Sequence, residues 1–235
     1  MSAQGTKRAL IVRGGWDGHH PVAATDSFIP FLTENGYEVR VENATAVYAD
    51  AGYMASVDLV VQTNTMNTIE RDELNGLRTA IEHGTGMAGW HGGIADSYRS
   101  SSDYLQLIGG QFATHPTRAP EDELNGDETD CFTHYTVNIV PEKADHPIVK
   151  GIEDFELTTE QYWVLSDEYN EVLATTTIPV TDHHPWHAPI TCPAVWTRLW
   201  GEGRIFVATP GHDMGVLADA NVRTIIERGL LWAGR

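Results

Sequence analysis

One pentapeptide in the sequence has the residue types and spacing of a catalytic turn. Residues 89–93, Gly-Trp-His-Gly-Gly, place His91 at the centre of a G-x-nucleophile-x-G pattern, whose glycines permit a sharp turn from strand to helix. Cysteine or serine is usual at that centre. An imidazole there is suited to moving a proton or binding a metal near neutral pH rather than to acyl transfer. The alternative is a glycine-rich turn in which the histidine is incidental.

Histidine also follows two other predicted strands. One apolar run leads into the loop that carries His19 and His20, and another leads into the loop that carries His212. Ligands of open parallel α/β sheets bind outside the carboxyl ends of the strands. We therefore expect His20, His91 and His212 to line one pocket, with His19 as the alternative to its neighbour His20.

Glu160 and Tyr162 form a further candidate pair. Positions i and i+2 of a strand share a face, so both side chains would point into one cleft and serve proton transfer. The alternative is a tyrosine ring packed inward beside a surface glutamate. Trp16 and Trp90 adjoin the candidate groups. Aromatic faces beside polar groups suit a sugar ring, although core packing explains tryptophan equally well.

Two more histidine positions are less specific. His115 precedes a proline in the segment 113–116 and is a candidate polar group. The segment 183–187, His-His-Pro-Trp-His, has the composition of a metal cluster, but its spacing gives no regular helical pair. The prolines at 185 and 189 predict an irregular, exposed loop. The sequence leaves the role of this segment open.

Composition narrows the classes of partner and compartment. The 235 residues include 15 Lys and Arg against 33 Asp and Glu, for a formal net charge of -18, which disfavours nucleic acid and anionic membranes as partners. Cys131 and Cys192 show no C-x-x-C spacing, so neither a disulfide framework nor a thiolate zinc site is indicated. Residues 1–7 lack the apolar core of a signal peptide, and no run reaches membrane-spanning length. We expect one cytoplasmic domain over residues 1–235.

The elements that position these groups alternate between strand and helix in the first half of the chain. This alternation predicts a doubly wound, mostly parallel α/β sheet over residues 7–112, with helices on both faces. Thr68 is the predicted N-cap of one helix and Gly84 its stop. The second half is predicted to add antiparallel or edge strands, with a surface loop or flap at 117–130. The predicted strands are 8–13, 37–41, 57–61, a run before His91, 133–140, 172–176 and a hairpin of 193–200 with 203–209; the predicted helices are 22–35, 69–83 and 221–232.

Taken in order, these motifs resemble the ThuA-like trehalose utilisation family over almost the entire chain. They are the early glycine and histidine loop, 89–93, His115-Pro116, 160–163, 203–206 with 210–213, and 231–233. The resemblance implies a class I glutamine amidotransferase-like (flavodoxin-like) sheet whose elbow cysteine has been lost, with His91 at that position. It also implies carbohydrate metabolism, with 3-keto disaccharides related to trehalose as substrates. The resemblance does not fix a cofactor, and the candidate is a divalent metal ion such as zinc.

These observations lead to the hypothesis of an enzyme that removes the proton beside a sugar ketone and then isomerises the sugar or cleaves its glycosidic bond. The alternatives are a noncatalytic sugar-binding or regulatory protein and a metal-dependent glycoside hydrolase. The expected partner is a small-molecule carbohydrate, and a homo-oligomer stays open. His91 is the candidate base or metal ligand, and His20 and His212 would hold an oxyanion or the metal. Glu160 would relay the proton, and Tyr162 and Asp213 would orient substrate hydroxyls. The expected substrate-binding set is completed by Trp16, Asn64 and Trp90.

Overall fold

Strands from both halves of the chain form one large sheet. A computed structural model of the protein describes residues 6–235. Most of segment 1–7, which was predicted not to be a signal peptide, lies outside the described residues. The strands are β1 (Lys7–Gly15), β2 (Tyr37–Glu42), β3 (Leu59–Thr65), β4 (Gly86–Trp90), β5 (Gly110–Thr114), β6 (Phe132–Ile139), β7 (Phe155–Glu160), β8 (Trp163–Ser166), β9 (Glu171–Ile178), β10 (Ile190–Trp200) and β11 (Gly203–Ala208). The helices are α1 (Pro21–Asp26), α2 (Ile29–Glu34), α3 (Ala51–Met54), α4 (Arg71–Glu82), α5 (Gly92–Ala95), α6 (Ser102–Ile108), α7 (Met214–Leu217) and α8 (Ala220–Ala233).

Within the described residues the large sheet has nine strands in the order β2-β1-β3-β4-β11-β10-β9-β6-β7. The first five of these positions are parallel to one another, and the remaining strands pair antiparallel. The predicted α/β architecture with a parallel first half and added antiparallel strands is therefore confirmed. One detail differs, because β5 leaves the parallel sheet and pairs with β8 in a separate two-stranded sheet.

Apolar side chains on both faces of the parallel strands explain why helices cover both faces. Successive residues of a strand point to opposite sides. Ile11 packs in a cluster that contains Leu32 of α2 and Ile226 of α8, whereas Leu10 packs in a second cluster that contains Leu77 of α4. Burial on each side stabilises the layered arrangement by removing apolar surface from water.

Two predicted helices differ in their limits. Residues 22–35 form α1 and α2 rather than one helix, because Pro30 has no amide hydrogen to donate and its ring clashes with the preceding turn. The next helix begins after Glu70 rather than after Thr68. Glu70 and Glu73 there form a capping box, in which each carboxylate accepts from the other residue's backbone amide. Gly84 follows the end of this helix with a positive φ of 105°, as predicted for a stop.

The hairpin of β10 and β11 is confirmed and places β11 in the middle of the sheet, between β4 and β10. The loop between β5 and β6 contains one short 3-10 helix, Glu128–Cys131. Among residues 6–235, no helix has the length and apolarity needed to cross a membrane.

Candidate metal centre

The parallel register brings three loops to one edge of the sheet. Gly15 of β1 pairs with Thr65 of β3, and Trp90 of β4 pairs with Ala208 of β11. The strands β1, β3, β4 and β11 therefore end side by side, as expected for a ligand site at the carboxyl edge.

His91 occupies a strained turn directly after β4. Its φ of 50° and ψ of -145° lie outside the regions that most side chains adopt. The backbone amide donates to the carbonyl of Ala208 at 2.7 Å, and the ring Nδ1 donates to the carbonyl of Thr209 at 2.7 Å. Only 1% of His91 is exposed, so the ring is buried at the edge of the sheet. The neighbouring strand end thus fixes both backbone and ring.

The glycines of the turn are required by close approach. A Cβ at Gly89 would lie 2.4 Å from the carbonyl oxygen of Gln62, and a Cβ at Gly92 would lie 2.6 Å from the ring of His19. A larger residue at position 92 would force this ring to move.

His19, rather than its neighbour His20, lies beside His91. A short 3-10 turn, Asp17–His19, directs the His19 ring inward, and its Nδ1 is 3.0 Å from the hydroxyl of Thr65. His20 has a left-handed φ of 46° and is exposed, because it is the junction from which α1 starts in a new direction. The placement of His20 in the pocket is therefore wrong. Trp16 packs edge-on against His19 with 4.7 Å between ring centroids, and 42% of it remains exposed.

His212 completes the set of imidazoles and is fully buried. Its Nδ1 is 3.3 Å from Nε2 of His91. Its Nε2 is buried and has no hydrogen-bond partner among the described residues. The ring of Phe132 lies nearly perpendicular to that of His212, with 5.2 Å between the centroids.

Glu160 brings a carboxylate into the centre of these rings. It ends β7, where it pairs with Phe132, the first residue of β6. Since β6 pairs with β9 only at Asn138 and Ile139, the start of β6 and the end of β7 are free to extend over the parallel edge. The carboxylate oxygen Oε2 is 2.9 Å from His91 Nε2, 3.2 Å from His212 Nδ1 and 3.9 Å from His19 Nε2.

Burial disfavours the charged form of two imidazoles in the cluster, whereas the carboxylate favours its ionised form. Burial lowers the pKa of His19 to about 2, and the neighbouring imidazoles act in the same direction. Burial also lowers the pKa of His91, more than the nearby carboxylate raises it. For Glu160, burial would raise the pKa, but the facing rings of His212 and His91 outweigh burial and hold it well below the usual range.

The contacts of His91 call for a proton or a metal ion between its Nε2 and Glu160. The Thr209 carbonyl only accepts, so Nδ1 of a neutral His91 carries the hydrogen and Nε2 presents a lone pair. That lone pair faces an acceptor oxygen of Glu160 at 2.9 Å. Two acceptors at this distance repel unless a proton or metal ion lies between them, and burial disfavours the doubly protonated ring.

The donor set fits a divalent transition metal. One ligand atom each from His19, His91, Glu160 and His212 lies within 4.8 Å of every other. A tetrahedral zinc ion with bonds of about 2.0–2.1 Å requires ligand atoms about 3.4 Å apart, and all four separations given above lie within 0.5 Å of that value. A hydrogen bond on the second ring nitrogen, as at His91 and His19, is the usual way of orienting metal-binding imidazoles.

Tyr162 and Trp90 are two further residues of the expected substrate-binding set. The ring of Tyr162 lies 4.3 Å from that of His91, and burial holds its pKa well above the usual range, so the phenol stays protonated. Trp90 is buried against Phe28 and also lines the small pocket beside His19 and His91.

Asn64 and Asp213 have structural contacts instead. Buried Asn64 accepts from the side-chain amide of Asn67 at 2.8 Å, within the loop after β3. Asp213 is the N-cap of α7, and its Oδ1 accepts from two backbone amides at 2.6 and 2.9 Å. Neither has a hydrogen bond to the cluster among the described residues, and their assignment to substrate binding stays a prediction.

The histidines of segment 183–187 lie apart from this cluster. His183 and His184 both donate from Nε2 to the carbonyl of Thr117, at 3.0 and 2.8 Å. The ring of His184 stacks on Trp186. These contacts hold the segment against the loop that precedes β6.

His115 and Cys131 lie close to Glu160, although sequence reasoning did not place them in the site. The Nε2 of His115 is 3.5 Å from Glu160 Oε1, and the Cys131 sulfur lies within 4.8 Å of the ligand atoms of both. Burial and the nearby carboxylate raise the pKa of the Cys131 thiol. The position of His115-Pro116 after a strand was the available signal; Cys131 had none.

Comparison with known proteins gives the chain's family and fold. A family model described as ThuA, trehalose utilisation, matches residues 8–233. No curated protein sequence matches the chain.

Solved structures show the same fold at low sequence identity. A ThuA-like protein from Bacteroides uniformis has a TM-score of 0.74 and 17% identity, over 97% of this chain and 91% of that one. A ThuA-like protein from Parabacteroides merdae has a TM-score of 0.68 and 15% identity, over 97% and 89%. A cytoplasmic protein from Salmonella typhimurium has a TM-score of 0.63 and 12% identity, over 97% and 100%.

Proposed function

This chain belongs to the ThuA family, and on that premise we propose that it is a metal-dependent enzyme acting on an oxidised disaccharide related to trehalose. Membership of a trehalose utilisation family implies a role in carbohydrate metabolism. The observation that carries the enzymatic proposal is the 2.9 Å contact between His91 Nε2 and Glu160 Oε2, with the imidazoles of His19 and His212 beside the same carboxylate oxygen.

In this proposal His19, His91, His212 and Glu160 hold one divalent cation. A bound cation of this kind acts as a Lewis acid toward a ketone and stabilises negative charge on its oxygen. His91 is then a ligand rather than the base, because its Nε2 is enclosed by Glu160 and His212 and no substrate carbon reaches it. Glu160 is likewise a ligand rather than a proton relay.

The proposed reaction removes the proton from the carbon beside the ketone of a 3-keto disaccharide and leads to isomerisation or glycosidic cleavage. The exposed face of Trp16 beside His19 offers a stacking surface for a sugar ring. The protonated phenol of Tyr162, which packs on His91, offers a hydrogen-bond donor to a substrate hydroxyl. The proton acceptor must come from outside the four-residue cluster, whose ligand atoms face one another.

The strained φ of His91 at a strand-to-helix turn supports a relation to the class I glutamine amidotransferase-like sheet, in which such a turn carries cysteine. A cytoplasmic location is part of the proposal and is supported by the Salmonella protein described as cytoplasmic.

The proposal is tested with purified protein loaded with zinc or cobalt and supplied with 3-ketotrehalose in D2O. Mass spectrometry should show deuterium beside the ketone and a new sugar product. His91→Ala should lose bound metal and reduce turnover by about 10²-fold or more, the scale of losing a central catalytic group. His134→Ala, at an exposed position of β6, is the matched control.

Binding of the sugar without exchange or turnover by metal-loaded protein would refute the enzyme and leave a noncatalytic sugar-binding protein. Full metal content in a folded His91→Ala variant would refute the ligand assignment.

A further inference from the structure

The carboxylate of Glu160 has a second oxygen that faces a different set of donors. Oε2 points to the three imidazoles of the candidate centre, whereas Oε1 is 3.5 Å from Nε2 of His115. One ligand atom each from His115, Cys131 and Glu160 lies within 4.8 Å of the others. His115 follows β5, and Cys131 ends the 3-10 helix before β6, so the three donors come from separate parts of the chain.

The ring of His115 has the same arrangement of hydrogen-bond roles as His91. Its Nδ1 is 3.3 Å from the carbonyl oxygen of Gln161. A carbonyl only accepts, so a neutral ring carries its hydrogen on Nδ1 and directs the Nε2 lone pair at a carboxylate oxygen. This tether to a backbone carbonyl is the usual orienting contact of a metal-binding histidine.

We propose that His115, Cys131 and Oε1 of Glu160 bind a second divalent transition-metal ion, so that Glu160 bridges two cation sites. Imidazole and thiolate donors select zinc or cobalt over magnesium or calcium. The Cys131 thiol releases its proton to solvent when the ion binds. This inference rests on the proposed function because Glu160 is shared by both sites.

A second ion at this position would also fix the loop between its ligands. His115 and Cys131 stand at the two ends of residues 116–130. Within that loop, Arg118 pairs with Asp122 at 3.2 Å and donates to the carbonyl of Asp130 at 2.7 Å. The ion would join both ends of the loop to Glu160, and so to the first site.

Cobalt titration of the metal-free protein tests the proposal. The wild type should take up about two ions per chain and show the near-ultraviolet absorption of thiolate-to-cobalt charge transfer. Cys131→Ser should lose that band and one ion. Cys192→Ala, which removes the other cysteine of the chain, should keep both. His115→Ala is the second variant, and circular dichroism checks that each variant is folded. Cobalt should also protect residues 116–130 from proteolysis in the wild type but not in Cys131→Ser.

The outcomes separate the two proposals. Uptake of one ion without thiolate absorption, unchanged in Cys131→Ser, overturns the second site and leaves the first. A wild-type protein that binds no cobalt and no zinc overturns both.

Discussion

The Nδ1 atom of His19 lies 3.0 Å from the hydroxyl oxygen of Thr65, the last residue of β3. This contact holds the ring with Nε2 directed toward Glu160, although the loop that carries His19 belongs to a different strand. This hydroxyl is therefore one of the contacts that fix the position of the ring, together with the packing of Trp16 and His91.

Thr65→Val removes this hydroxyl while keeping nearly the same volume. We expect metal affinity to fall by about 10–100-fold, as is typical when an orienting partner of a ligand is lost. Competition with a chromogenic chelator measures it. Thr65→Ser should keep near-wild-type affinity, and equal losses in both variants would show that the hydroxyl does not orient the ring.

Gly92→Ala should disturb the same ring from the other side. The new Cβ would lie 2.6 Å from His19 Cε1, so the imidazole must shift. We expect metal affinity to fall by at least about tenfold while the circular dichroism spectrum stays unchanged. Gly52→Ala, where the added carbon meets only a carboxylate oxygen at 3.5 Å, is the matched control. Wild-type affinity in Gly92→Ala would show that the ring has room to move without losing the ion.

The metal-free protein should lose stability in acid. Burial lowers the pKa of His19 from 6.5 to about 2 and also lowers that of His91, so below about pH 6.5 the unfolded chain binds protons that the folded chain does not. Glu160, whose pKa is also lowered, adds stability above its ordinary pKa of 4.5 that is lost as the pH falls through the lower folded value. Both effects reduce the melting temperature with decreasing pH.

Thermal denaturation in a chelator from pH 8 to pH 5 measures this trend. Between pH 6.5 and pH 5 the decline should be shallower in His19→Asn than in the wild type, whereas His20→Asn should follow the wild type because His20 is exposed. Parallel curves for the wild type and His19→Asn would contradict the assignment.

Trp16→Ala tests the stacking surface. We expect KM for the keto sugar to rise about 2- to 10-fold, the range that corresponds to an aromatic contact of about 0.5–1.5 kcal/mol. Metal content should not change, because Trp16 is not among the residues that offer a ligand atom to the candidate centre. Tyr169→Ala, another exposed aromatic position, is the control. An unchanged KM would remove Trp16 from the sugar site.

The parallel half of the fold could be predicted because its strands are short apolar runs between helices with clear stops. The same runs located the turns that carry His91 and His212, since a residue just past a parallel strand lies at the carboxyl edge. The choice between His19 and His20 could not be made from pattern. It depends on one left-handed backbone conformation at His20, and adjacent residues differ in direction without any change in composition.

The part of the site that comes from the second half was less predictable. Glu160 was named from its spacing to Tyr162, but its approach to the histidines depends on how β6 and β7 leave the sheet, which is a tertiary effect. Cys131 lies beside a loop with no regular pattern, so nothing local indicates that it folds back to Glu160. Pro30 shows the converse, because a proline inside an apolar pattern is a local signal that should have divided the helix predicted over 22–35.

The central position of β11 determines how late in synthesis and folding the site can form. His91 and Thr209 are 118 positions apart and meet only when β11 has inserted beside β4. A growing chain that has been synthesised only as far as β10 has the turn at His91 but lacks both Thr209 and His212. Closing a loop of this length is slow, because the chain loses conformational entropy before the stabilising contacts form. Metal uptake should therefore mark the end of folding rather than initiate it, and the unfinished chain must reach that point with an incomplete ligand set.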